Sequence, residues 1–174
     1  GISPMSDKRV VVTGVGAVTP IGNTVADFWS ALVAGVCGAA PIVKFDTEKH
    51  KVKFACEIKG YDALAHFNPK DARKLPDFIQ YAIVAAREAW ADCGLDLEKE
   101  DATQIGTWIG SGIGGIGVLE AQTKVLIESG PSRVSPLMIP QMIPSRDMTI
   151  KDVRSGPGCG QTKILVIGEF LVVA

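Results

Sequence analysis

The chain has 174 residues, 47% of them hydrophobic and 21% charged, with a formal net charge of −1. That is enough apolar material for one core-forming domain, which excludes a disordered chain, and the balanced charge excludes the basic excess of a nucleic-acid-binding domain. No apolar run reaches the roughly 18 residues that span a bilayer, and four scattered cysteines (Cys37, Cys56, Cys93, Cys159) form no CxxC pair, so free thiols in a cytoplasmic compartment, no metal site and no membrane partner are expected.

Gly1 to Ser6 reads as a cloning scar, with Met5 as the natural start. Arg9 to Thr13 (RVVVT) is a β-branched run without alternation, which predicts a strand covered on both faces. Asn23 or Thr24 is placed to cap a helix over Val25 to Val33, where Phe28, Trp29 and Leu32 fall at helical spacing and Gly35 ends the run. Gly38 to Phe45 reads as a loop and Lys51 to Ile58 as an exposed strand.

Asn68 is a good cap for the next helix, and Pro69 is tolerated in its first turn. Pro76 interrupts the apolar pattern that follows, which predicts two helices or a kink, the second capped by Asp77. The second helix carries Phe78, Tyr81, Ala82, Ala85, Ala86 and Ala89 at three-and-four spacing, and its alanine-rich face predicts close packing against a neighbour. Gly94 ends it.

Ile105 to Ile109 reads as a buried strand that meets a dense set of glycines (Gly106, Gly110, Gly112, Gly114, Gly115, Gly117) before a helix from about Val118 to Ser129. Gly110, Gly112 and Gly115 match the spacing of a dinucleotide-binding turn, but no second strand ending in an acidic residue follows. The competing reading is that these glycines let helices, and a second subunit, pack close to the strand. Residues 136 to 144 (PLMIPQMIP) are apolar but broken by three prolines, which predicts a covering loop rather than a helix core or central strand. From Ser145 the chain turns polar and glycine-rich, then closes on a strand-like run, KILVIGEFLVVA. Alternating strands and helices imply an α/β fold with a mostly parallel sheet.

Few residues carry a chemical signal. Lys70, Arg73 and Lys74 lie at i, i+3 and i+4 and form one cationic helix face, either solvated or aimed at an acidic or phosphorylated partner. Arg133 extends that patch if its loop returns nearby. His50 and His66 have no carboxylate or cysteine at useful spacing and read as surface residues. Cys159, in a Gly156-Pro157-Gly158-Cys159-Gly160 loop, is the one cysteine in a setting worth suspecting, but no histidine follows it to act as a base.

Taken together, RVVVTGVGAVTPIGN, FWSALVAG, Phe45-Asp46, RKLPDFIQYAIVAAREAWADCGL, IGTWIGSGIGGIGVLEAQ, GPSRVSP and MIP resemble the N-terminal half of the β-ketoacyl-acyl-carrier-protein synthases, closest to the type II (elongating) condensing enzymes of thiolase-like fold. The resemblance covers about residues 8 to 144. It implies an N-terminal thiolase-like region over residues 7–144, part of a five-layer αβαβα architecture, and a divergent segment over 145–174. It further implies a fatty-acid-elongating acyltransferase without a cofactor, acting on acyl carrier protein as a homodimer. By the same resemblance Ile113 lines and gates the acyl pocket, and Leu137, Met138 and Ile139 line it where the family usually has Phe-Phe-Val. Lys70, Arg73 and Lys74 match the face that meets the acidic carrier, and Arg133 a weaker contact of that kind.

The departures are equally specific. The family's Thr-Ala-Cys nucleophile and its two later histidines are missing from these residues, and counting on from Gly156-Pro157 puts the nucleophile position near Leu165. The 174-residue chain is therefore expected to be inactive in condensation on its own. Two other functions stay open on the sequence: a non-catalytic piece that dimerises or docks the carrier, and a nucleotide-binding α/β domain using Gly110 to Gly115.

Overall fold

The computed structural model describes residues 11–96, 98–101, 105–143 and 163–168. Helix α1 (Val25–Val33) starts at Thr24, whose side chain accepts from the Asp27 amide, and ends before Gly35 at φ +70°. A two-residue antiparallel pair follows, β1 (Ala40–Pro41) with β2 (Phe54–Ala55). The expected loop over Gly38 to Phe45 thus contains a strand, and the expected strand over Lys51 to Ile58 shrinks to two residues. The pairing is extended by a single further hydrogen bond, from the Ile42 amide to Lys53 O at 3.0 Å.

Helix α2 (Pro69–Lys74) is capped by Asn68, whose Oδ1 accepts from the Lys70 and Asp71 amides, both at 3.0 Å. Pro76 separates it from α3 (Asp77–Asp92), as the proline pattern requires. The predicted Asp77 cap is corrected: Asp77 is already inside the helix, its carboxylate makes no cap hydrogen bond, and it pairs with Lys44 at 2.9 Å instead. With Pro76 at the boundary, the Ile79 and Gln80 amides donate to the Pro76 carbonyl, which leaves the side chain free to turn outward.

Helix α3 is the core of the described structure. Ile79, Ala82, Ile83, Val84, Ala85, Ala86 and Ala89 are all buried on it, and it lies against the last strand, β4 (Lys163–Gly168). Strand β3 (Ile105–Gly110) pairs with β4 in parallel, from Ile105 opposite Lys163 to Gly110 opposite Gly168. The parallel sheet expected from strand–helix alternation is thus present as a pair. Helix α4 (Ile116–Ser129) follows the glycine turn and begins two residues earlier than its apolar pattern indicates.

The close neighbour expected for the alanine face is the segment before α1. A Cβ at Gly14 would overlap the Ala89 carbonyl, and one at Gly16 the Ala85 carbonyl. The expected RVVVT strand is corrected over its described part. Arg9 and Val10 lie outside the described residues, and Val11 to Thr13 form no strand, with Val11 and Val12 exposed. Further along, the Val15 amide donates to Asp92 Oδ2 at 3.0 Å and the Ala17 amide to Glu88 Oε2 at 2.9 Å, so carboxylates of α3 hold the segment that follows the run.

The segment 136–143 is corrected in one respect, because it contains a short helix, α5 (Met138–Met142). Pro140 is tolerated there because the first-turn amides of a helix have no internal partner to lose.

Candidate functional site

Three elements meet at one end of α3. The glycine turn after β3 packs against the backbone of α5: the Gly115 amide donates to Met142 O at 3.2 Å, and a Cβ at Gly115 would overlap Gln141 O. Gly114 sits at φ +68°, a conformation that costs a side-chain-bearing residue free energy, and the Ser111 hydroxyl accepts its amide at 3.0 Å. A Cβ on Gly114 would also lie 4.0 Å from the Phe78 ring, at the start of α3. From the other side, Gln141 Nε2 donates to Lys74 O, the last residue of α2, at 2.7 Å. The glycine turn, α5 and the basic helix therefore form one contiguous corner.

This geometry bears on the dinucleotide reading. A phosphate-binding turn presents free helix N-terminal amides to its ligand. Here the Gly115 amide is taken by Met142 O and that flank is filled by α5. Packing within the chain thus accounts for Gly114 and Gly115, while at Gly110 and Gly112 a Cβ would meet none of the described residues. The nucleotide reading finds no support in the fold.

The four apolar positions named from sequence lie on this corner. Ile113 is in the turn, Leu137 precedes α5, and Met138 and Ile139 are on it. Ile113 and Ile139 are more than half exposed, so the described residues display an apolar surface rather than a closed cavity.

Lys70, Arg73 and Lys74 are all exposed on α2, and among the described residues no ion pair neutralises them. Arg73 Nε donates to its own helix, at Pro69 O, 2.9 Å away. Arg73 and Lys74 occupy the last turn, where cations are favoured by the helix dipole. Arg133 is exposed in the turn Pro131–Arg133, after the C-terminal end of α4. The basic trio and the apolar corner are thus brought together, and Arg133 lies in the turn four residues before Leu137.

The remaining reactive side chains are dispersed. His50 is exposed and edge-on to Phe45, and His66 is exposed and stacked on Tyr61, as expected of surface residues. Cys93 Sγ donates to Trp90 O, Cys37 is exposed and Cys56 half-buried. Cys159 lies outside the described residues. Among the described residues no cluster of His, Cys, Asp or Glu is suited to a metal ion, and no helix is long and apolar enough to cross a membrane.

Sequence reading passed over Tyr61 and Gln80. The Tyr61 hydroxyl donates to Gln80 Oε1 at 3.2 Å, and burial, with Tyr81 beside it, pushes its pKa up to about 12. Gln80 is 4% exposed and donates to Ala72 O at 3.0 Å and Leu75 O at 2.8 Å. The signal was present: Gln80 is a polar residue on the apolar stripe of α3, and buried amides take partners.

Comparison with known proteins gives the chain a family. The model of the β-ketoacyl synthase N-terminal domain matches residues 7–148. The chain belongs to the β-ketoacyl synthase family. It is 48% identical over 138 residues to the 3-oxoacyl-(acyl-carrier-protein) synthase 2 of Staphylococcus aureus (strain COL), covering 79% of this chain and 33% of that protein. With its counterpart in Vibrio cholerae serotype O1 it shares 48% identity over 139 residues, 80% of this chain and 34% of that protein. This β-ketoacyl synthase chain therefore spans about a third of the length of the curated relatives it matches. The fold agrees, since the ishigamide ketosynthase/chain length factor superposes with a TM-score of 0.71 at 24% identity, over 91% of this chain and 39% of that one. A ketosynthase solved with its type II PKS acyl-carrier protein and a bound hexaketide gives a TM-score of 0.62 at 29% identity, over 79% and 36% of the two chains. The architecture is thiolase-like, as expected.

Proposed function

We propose that this chain is the N-terminal portion of a type II β-ketoacyl-acyl-carrier-protein synthase of fatty acid elongation, working in the cytoplasm as a homodimer. In that reaction an acyl group passes to an enzyme cysteine, malonyl-carrier protein loses carbon dioxide, and the resulting enolate attacks the thioester. The portion present here contributes two things. Lys70, Arg73 and Lys74 dock the acidic carrier protein, with Arg133 a peripheral contact, and Ile113, Leu137, Met138 and Ile139 form one wall of the acyl pocket. Leu137 and Met138 keep that wall apolar while changing its shape. The segment 145–174 is read as divergent from the family.

The observation that carries this reading is the Gln141–Lys74 contact. It puts an unneutralised cationic helix against the apolar corner, so a carrier held by charge would deliver its acyl chain to an adjacent apolar wall. The condensation itself requires a thiolate and donors for the enolate oxygen. These 174 residues hold only two histidines, and both engage aromatic rings at the surface. The chain alone is expected to bind the carrier and not to condense malonyl and acyl thioesters.

Charge reversal tests the docking. Lys70→Glu, Arg73→Glu and Lys74→Glu together should weaken binding of a type II acyl carrier protein by on the order of tenfold or more, chiefly through attraction and association rate. Circular dichroism would verify that the variant is folded. Unchanged affinity in a folded variant would remove the docking role.

A further inference from the structure

Helix α2 holds the three cations, yet it is six residues long. A helix this short does not hold its shape in water, because the nucleation cost is spread over too few hydrogen bonds. Its C-terminal carbonyls are the exposed weakness, since a helix leaves its last carbonyls without internal partners. Here two side-chain amides from other elements take them. Gln80, buried on α3, donates to Ala72 O at 3.0 Å and Leu75 O at 2.8 Å. Gln141, on α5, donates to Lys74 O at 2.7 Å. Gln80 is itself oriented by the Tyr61 hydroxyl, which occupies its oxygen and turns its nitrogen toward α2.

We propose that Gln80 and Gln141 are positioning residues which clamp the C-terminal end of α2 and so set the place of the carrier-docking cations relative to the acyl-lining segment. The inference rests on the docking function proposed above. In this role neither glutamine needs to touch the carrier. Gln80 ties the docking helix to the core, and Gln141 ties it to the same short helix that carries Met138 and Ile139. A displacement of α5 by an acyl chain would be felt at Lys74, and a displacement of α2 by a carrier would be felt at the pocket wall.

The decisive variant is Gln141→Met, which keeps length and bulk and removes the donor. Two readouts are taken on the full 174-residue chain, well below its melting temperature, where a merely structural role leaves the affinity of folded molecules unchanged. The first is amide hydrogen exchange at Ala72 and Leu75, whose amides hold α2 together by donating to Asn68 O and Asp71 O. The second is the dissociation constant of a purified type II acyl carrier protein. The clamp predicts faster exchange at both amides and roughly fivefold weaker carrier binding, the size of one net hydrogen bond. Gln80→Met should do more, since it loses two donations; if it does not fold, Gln141→Met still decides the matter. Unchanged exchange overturns the clamp. Faster exchange with unchanged affinity overturns its role in docking. A wild-type chain that fails to bind the carrier overturns the docking function, and this inference with it, whereas the exchange result still reports on the clamp alone.

Discussion

Glu88 joins two segments with one carboxylate, accepting from the Ala17 amide at 2.9 Å and from the Val25 amide at 2.8 Å. Charge-assisted hydrogen bonds of this kind are about twice as strong as neutral ones. Glu88→Ala should therefore cost about 3 kcal/mol, read by urea denaturation, and should loosen the start of α1 first. Gly16 lies on the same seam. Gly16→Ala drives a methyl group into the Ala85 carbonyl, and a loss of about 3 kcal/mol is expected from overpacking, where a surface glycine would tolerate the change. Tyr61 gives a pH signature. Its folded-state pKa is about 12 against an ordinary 10.0, so the native state holds the proton more tightly than the unfolded chain. The stabilisation is fully present below pH 10 and is lost as pH rises toward 12. The stability difference between wild type and Tyr61→Phe should accordingly be flat up to pH 10 and shrink above it, as followed by denaturation at a series of alkaline pH values; a difference that stays constant across that window would contradict the assignment.

Among the elements, those bounded by local chemistry were legible and those bounded by distant partners were not. Thr24 and Asn68 cap α1 and α2 as their residue types indicate, and Pro76 divides α2 from α3. Asn68→Ala should cost about 1 kcal/mol and preferentially unwind α2, a change that amide exchange at Lys70 and Asp71 would register. The Val11 to Thr13 run failed as a strand because a ladder needs a neighbour, and that information is not local. Asp77 failed as a cap because Lys44, 33 positions away, offers its carboxylate a charged partner. The basic face was readable from its i, i+3, i+4 spacing, and the apolar segment from its composition. That the two touch was not readable, since Gln141 and Lys74 are 67 residues apart.

At the scale of the whole chain, one buried helix serves a large apolar surface. None of the residues of α1 or α4 is buried, and Val12 (83%), Val33 (72%) and Ile127 (78%) are mostly exposed. Exposed apolar residues on this scale mark surfaces that are covered by other protein. The chain by itself should therefore self-associate at micromolar concentration, and sedimentation velocity showing a clean monomer would contradict this. Residues 136–143 illustrate the same point, because the proline-broken run finds its partner in the glycine turn and its place beside α2 only once the chain is folded. The central claim is that α2 presents a carrier-docking face. The most direct test is a titration of a type II acyl carrier protein into the wild-type chain at low and at high ionic strength. Saturable binding that weakens steeply with added salt is the predicted result, because the proposed contact is one between Lys70, Arg73 and Lys74 and an acidic partner. Absence of binding at low salt, or an affinity indifferent to salt, would contradict it.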